Sequence, residues 1–313
     1  MNPSSTAGID SLRTHSDRLA AIVEHVGTST VAVLGRRDAV ATGMAWRPGL
    51  VVTAAHVFRR TPVAVTLVAA GGRELAATLV GIDSPTDLAL FRLAEEAGVP
   101  PLAAGSPAAV QAGHLAIAVG RGAEGDTIAS AGIVNRVGGP WQTWLGGPID
   151  RLIRLDGGVY EGLSGAPVAD ASGEVIGIAT SALSRSYGIV VPAVTVSRVV
   201  DALLAHGRVA RAWLGIGAQA VPLSDATGRA DPSGQSGLLI TSLATDGPAE
   251  RAGLRIGDIL VRAAENAAAS LRDLREALSA HVGKSVTLAV LRGGQPLELQ
   301  TEVGEWPHER RCH

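Results

Sequence analysis

The chain is short of cysteine, aromatic residues, net charge and long apolar runs, and each shortage removes a class of protein. Cys312 is the only cysteine among 313 residues, so there is no intrachain disulfide framework and no cysteine-built zinc cage. Aromatics make up 3% against 46% hydrophobic residues, so the core must be built from Val, Leu, Ile and Ala. A formal charge of -2 argues against a dedicated nucleic-acid binder, which carries a basic excess. No apolar run approaches the ~20 residues a membrane-spanning helix needs. The stretch from Met1 to Gly27 carries Asp10, Asp17 and Glu24 and lacks an unbroken apolar segment, so it does not read as a signal peptide. Cytoplasmic residence is the resulting expectation, with the periplasm left open.

What remains is suited to short strands: β-branched and aliphatic residues punctuated by 39 glycines, which points to a mainly β fold. The length allows two domains, each with its own core. Leu12, Leu19, Ile22, Val23 and Val26 recur at helical spacing, which predicts an amphipathic helix over about residues 10 to 26. Its apolar face docks either on its own domain or on another copy. Six strands are expected at Val31 to Leu34, Ala39 to Trp46, Leu50 to Ala54, Val63 to Ala69, Leu75 to Ile82 and Leu88 to Leu93, enough for a small closed barrel.

A Pro- and Ala-rich connection, Gly98 to Pro107, precedes a second series: His114 to Val119, Thr127 to Val137, Leu152 to Leu155, Ala166 to Ala169, Glu174 to Thr180 and Gly188 to Val191. A helix follows Pro192, with Val196, Val199, Val200, Leu203 and Leu204 on one face and Gly207 as its stop. Beyond Arg208 a smaller β-rich domain is expected. It has strands at Trp213 to Gly217, Leu238 to Leu243 and Asp258 to Arg262, a loop from Pro222 to Gly237, and a helix capped by Ser270. A closing hairpin, Val286 to Leu291 and Leu297 to Val303, turns at Gly293-Gly294. The expected organisation is therefore a helix within 1–27, a double β-barrel domain over 28–208, a small β domain over 209–304 and a tail over 305–313.

Chemistry first shows at Gly162-Leu163-Ser164-Gly165-Ala166-Pro167, where glycines and a proline around a serine present its hydroxyl on a tight bend. An ordinary turn has the same composition. A serine hydroxyl becomes a useful nucleophile only with a histidine to take its proton and a carboxylate to orient that histidine. His56 closes the apolar run Val51-Val52-Thr53-Ala54-Ala55, and Asp87 follows the Asp83-Ser84-Pro85 turn at the entrance of Leu88-Ala89-Leu90-Phe91. Alone, the first is a strand-end histidine and the second a turn residue. In the order His, Asp, Ser across two barrel-like halves, they describe a cleft with a base, its orienter and a nucleophile.

These stretches, with Gly132-Ile133-Val134, Gly173-Glu174-Val175-Ile176-Gly177-Ile178, Trp213-Leu214-Gly215-Ile216 and Pro248 to Asp258, resemble serine proteases of the HtrA/DegP type. The resemblance implies a chymotrypsin-like double six-stranded β-barrel followed by one PDZ domain, with no cofactor and no metal. It implies His56 as general base, Asp87 as its orienting carboxylate, Ser164 as nucleophile, and the N–H groups of Gly162 and Ser164 as the oxyanion hole. Six residues before the serine, Gly158 falls at the floor of the primary pocket, which implies a preference for small or medium aliphatic side chains. The N–H groups of Leu214, Gly215 and Ile216 would hold a peptide's terminal carboxylate, so unfolded or extended polypeptides and peptide C-termini are the expected partners.

Departures from the family cluster at the serine, where Leu163 replaces a polar residue and Ala166 a glycine. They predict an oxyanion hole completed only on activation. The competing expectation is a catalytically weak, chaperone-like binder on the same fold. A homotrimer is also implied, although residues 1 to 45 hold no Phe or Tyr and no Trp before Trp46 to build the usual aromatic contact.

Overall fold

A computed structural model describes residues 3–34, 40–58, 63–94, 98–103, 105, 109–223 and 236–306, the first seven of these by their backbone only. Most of the expected loop from Pro222 to Gly237 and the tail beyond Trp306 lie outside the described residues, as do residues 104, 106 and 107 of the connection from Gly98 to Pro107. The chain divides into two compact units, Met1–Val209 and Ala210–His313.

The first unit begins with helix α1 (Pro3–Gly27). Its last turns dock on their own domain: Leu19, Ile22, Val23 and Val26 pack on Ile117, Val119 and Ala169. Six strands follow, β1 (Thr30–Leu34), β2 (Val40–Arg47), β3 (Leu50–Ala54), β4 (Ala64–Val68), β5 (Glu74–Asp83) and β6 (Leu88–Leu93), closed into a barrel in the order β1-β2-β3-β6-β5-β4. Its interior is Val31, Val33, Val51, Leu67 and Phe91.

Next come β7 (Leu115–Arg121) and β8 (Thr127–Gly138), then a short pair, β9 (Trp141–Gln142) and β10 (Pro148–Ile149). Strands β11 (Leu152–Leu155), β12 (Pro167–Ala169), β13 (Val175–Thr180) and β14 (Ile189–Pro192) complete a second closed barrel, β11-β14-β13-β12-β7-β8. Helix α2 (Ala193–His206) stops at Gly207, which adopts φ 69° and returns its N–H to Leu203 O at 2.8 Å.

Strands β3, β12, β13 and β14 are buried along their whole length. A barrel strand that shows one face to the interior and the other to solvent alternates polar and apolar residues; β3 and β13 are apolar but for Thr53 and Thr180 because both faces are covered. The second faces meet in a shared core, where Met44, Val52 and Leu90 pack with Ile178, Val191 and the α2 residues Val196, Val199 and Leu203. Each such side chain is worth about 1.5–3 kcal/mol of burial. That core holds the ends of β3 and β13 at one place, where His56 follows the first strand and Thr180 ends the second.

The second unit has β15 (Ala212–Trp213), β16 (Ile216–Pro222), β17 (Ser236–Leu243), α3 (Pro248–Arg251), β18 (Ile259–Ala263), β19 (Asn266–Ala267), α4 (Leu271–Leu278), β20 (Ser285–Arg292), β21 (Gln295–Glu302) and β22 (Gly304–Glu305). Its main sheet runs β16-β17-β18-β20-β21, which leaves β16 at an edge. The expected strand from Trp213 to Gly217 is split in two at Gly215, whose φ of 74° no extended strand allows. Glu305 is paired rather than part of a tail, through β22 on β15. Ser270 caps α4 by accepting from Asp273 N–H at 3.2 Å.

Candidate active site

His56 sits in the single turn Ala55–Val57 that ends β3. Asp87 sits after the turn Ser84–Thr86, in a left-handed conformation (φ 59°, ψ 40°) that is costly for a residue with a side chain. The conformation aims the buried carboxylate back at His56. Oδ2 takes the ring Nδ1 at 2.7 Å and Oδ1 takes the His56 backbone N–H at 2.8 Å, while Ala55 N–H donates to Asp87 O at 3.0 Å. The Thr180 hydroxyl, from the end of β13, also donates to Oδ2. An ionised carboxylate only accepts, so Nδ1 carries the ring proton and Nε2 is left as the acceptor that a general base requires.

Ser164 comes from the turn before β12. Its Oγ lies 3.1 Å from Ser181 Oγ, and Ser181 Oγ lies 3.3 Å from His56 Nε2. The bend around it is held from the first barrel. Thr42 N–H donates to Ser164 O at 2.9 Å, the Thr42 hydroxyl donates to Gly162 O at 2.7 Å, and that hydroxyl accepts from Arg121 N–H at 3.0 Å. Gly165 takes φ 85°, and a Cβ there would stand 2.1 Å from Thr42 O. Only glycine allows this approach.

Leu163 and Ala166 do not hang over the serine. Both are buried in the second barrel's core with Val168 and Ile176, so the bend is steadied by Thr42 and not by the side chain at 163. The N–H groups of Gly162 and Ser164 have no hydrogen-bond partner among the described residues, which leaves both available to an oxyanion.

Beside this bend a pocket of about 480 Å³, counting its open mouth, takes in Gly158, Tyr160 and Leu163 together with Ala116, Ala118 and Ala179. Asp156 also lines it, a residue that sequence reasoning did not place there. In the second unit, Leu214 is buried and its carbonyl accepts from Ala249 N–H at 2.9 Å, while Gly215 O accepts from Ala244 N–H at 2.7 Å. The N–H groups of Leu214 and Gly215 find no partner among the described residues, and Ile216 opens edge strand β16. No helix among the described residues is long and apolar enough to cross a membrane.

Thr42, Thr180 and Ser181 were not singled out from sequence. The bonds that tie these hydroxyls to Gly162, Asp87 and His56 span 120, 93 and 125 positions, a separation with no local signature. The one available signal was that polar Thr180-Ser181 terminates the apolar run from Val175.

Residues 41–178 match the trypsin-like peptidase domain and residues 214–303 the PDZ domain. The fold and these matches define the class, a trypsin-like peptidase domain followed by a PDZ domain. A DegP-like periplasmic serine endoprotease from Brucella suis is 34% identical over 270 residues, covering 84% of this chain and 52% of the relative. A counterpart from Chlamydia trachomatis is 32% identical over 283 residues, covering 88% and 56%. The chain thus spans about half the length of the curated relatives it matches. The HtrA-type protease AlgW with a tripeptide has a TM-score of 0.74 at 25% identity, covering 92% of this chain and 97% of that one. The serine endoprotease from Yersinia pestis shares the fold, with a TM-score of 0.75 at 22% identity and coverage of 92% and 98%. Within that class, the chain is similar to proteases of the HtrA type.

The relatives' names correct the expectation of cytoplasmic residence, since they are named as periplasmic proteins. That expectation rested on the acidic residues and interrupted apolar pattern of residues 1 to 27. Those residues form α1, whose amphipathic pattern serves docking on the second barrel and carries no information about compartment.

Proposed function

We propose that this chain is a serine endopeptidase that cleaves unfolded or extended polypeptides through an acyl-enzyme, with a PDZ domain that binds peptide C-termini. Ser164 is the nucleophile and His56 the base that takes its proton and returns it to the leaving amine. Asp87 fixes the ring tautomer and stabilises the imidazolium. The N–H groups of Gly162 and Ser164 receive the oxyanion, each worth on the order of 3 kcal/mol in the transition state. The carrying observation is the buried Asp87 carboxylate bonded to both His56 Nδ1 and His56 N–H, 2.7 and 2.8 Å away, beside two N–H groups at the serine bend that have no partner among the described residues. Such a set favours turnover over the chaperone-like alternative.

Gly158 and the alanines that line the pocket favour a small or medium side chain before the scissile bond, and Asp156 in the same lining would favour a basic one. In the PDZ domain, the N–H groups of Leu214 and Gly215, without a partner among the described residues, and the start of β16 at Ile216 suit a terminal carboxylate. The peptide would add as a strand to the β16 edge, with α4 as the opposite wall. The names of the relatives support work in the periplasm. A homotrimer follows from the HtrA resemblance, and native mass spectrometry reads it directly.

The test is digestion of a permanently unfolded protein, such as reduced and alkylated casein, by the full chain and by Ser164→Ala. Fragments from the first and none from the second are expected. An intact substrate with both proteins would favour the chaperone-like alternative.

A further inference from the structure

The hydroxyl of Ser181 occupies a position that the three-residue account of the site does not use. It stands between the nucleophile and the base, 3.1 Å from Ser164 Oγ and 3.3 Å from His56 Nε2. Among the described residues these are the hydrogen bonds of the Ser164 hydroxyl and of Nε2, so the two groups meet through Ser181.

The direction of this chain is set by its far end. Asp87 accepts from Nδ1, so Nε2 has a lone pair and no proton. Ser181 must then donate its proton to Nε2 and accept with its own oxygen from the Ser164 O–H. Every donor and acceptor points the way a proton travels when Ser164 attacks.

We infer that Ser181 is a catalytic residue that relays the Ser164 proton to His56. The inference rests on the protease reading of the site. As Ser164 Oγ forms its bond to the substrate's carbonyl carbon, the Ser164 proton moves to Ser181 Oγ while the Ser181 proton moves to Nε2. Ser181 ends as it began, a neutral hydroxyl. The positive charge rests on His56 beside Asp87, and the negative charge on the carbonyl oxygen facing the N–H groups of Gly162 and Ser164. Collapse of the tetrahedral intermediate sends the Nε2 proton to the leaving amine. No outside reactant is needed. Ser181 is exposed, so a substrate segment laid over it excludes the water that would otherwise compete for its hydroxyl.

The test is the rate at which a fluorophosphonate in excess labels Ser164 in the full chain, measured in mixtures of light and heavy water. The relay predicts a curved dependence on deuterium fraction for the unsubstituted chain, because two protons move in the rate-limiting step. Ser181→Ala is expected to label about tenfold slower or worse, at the lower end of what a positioned proton-transfer group contributes, with a linear one-proton dependence. Ser181→Thr, which keeps a hydroxyl, is expected to restore both the rate and the curvature. The relay is overturned if Ser181→Ala labels at the original rate or faster, which would mean that Ser164 reaches Nε2 directly. It is equally overturned if the alanine variant is slow but keeps the curved dependence, since the side chain would then only position its neighbours. Failure of the unsubstituted chain to label at Ser164 would instead sink the protease reading, and the relay with it.

Discussion

Asp87 in the first unit and Asp258 in the second are built alike and put to different ends. Both carboxylates are buried, 3% and 2% exposed, and each accepts a backbone N–H, from His56 and from Arg255, both at 2.8 Å. They differ in the side chain opposite. Asp258 takes a two-point contact from Arg292, Nε to Oδ1 and Nη2 to Oδ2, each 2.8 Å. Asp87 takes Nδ1 of a histidine whose other nitrogen faces Ser181. A guanidinium keeps its charge at every working pH, so its pair can only tie β20 to the turn before β18. An imidazole can gain and lose a proton, so under the proposed function the same carboxylate takes part in a reaction. A buried aspartate therefore marks a site only when its partner can change charge.

The comparison breaks most visibly if Asp87 is neutralised. Asp87→Asn removes an acceptor and offers an N–H₂ to Nδ1, which favours the tautomer with its proton on Nε2, the wrong nitrogen for a base. Turnover of an unfolded substrate is expected to fall about 10⁴-fold, with hydrogen exchange across β3 and β6 little changed. A fall below tenfold would assign Asp87 a structural part like that of Asp258.

The converse change, Asp258→Asn, should cost stability. The change removes the charge opposite Arg292 and leaves that solvent-accessible guanidinium to water. Hydrogen exchange of β18 and β20 in the full chain should speed by up to about tenfold. Unchanged protection would mean that the turn does not depend on the pair.

The smallest effect lies in acid. The hydrogen bonds from Arg292, first, and then the Arg255 N–H hold the Asp258 carboxyl below its usual range, against the opposing pull of burial. A depressed folded value stabilises the fold fully above the unfolded carboxylate value, about 3.9, and that contribution is lost as pH falls through the folded value. Protection of β18 and β20 should therefore decline on acidification below about pH 4. In Asp258→Asn this part of the decline should be missing.

Two strands are legible from sequence to the residue. Leu50 to Ala54 is an unbroken apolar or β-branched run and Leu88 to Leu93 is broken only by the exposed Arg92, and both appear as strands with those bounds. The hairpin at Gly293-Gly294 is legible because both residues need positive φ, 57° and 81°. The residues His56, Asp87 and Ser164 drew attention through their order along the chain and their likeness to a known type. Thr42, Thr180 and Ser181 gave no such sign, because a lone hydroxyl acquires its part only when distant strands meet. Leu163 and Ala166 read as threats to the serine bend, since sequence shows that they replace smaller or polar residues and not that they point into the second barrel's core. The break at Gly215 was hidden for a related reason: a glycine inside an apolar run looks like strand until its carbonyl is bonded to Ala244.

Peptide mapping of the full chain after fluorophosphonate treatment tests whether Ser164 is the nucleophile presented to a His56 fixed by Asp87. A single phosphonyl adduct on Ser164, absent from the His56→Ala variant over the same time, is expected. An adduct on Ser181, or equal modification of Ser164 without His56, would contradict that assignment.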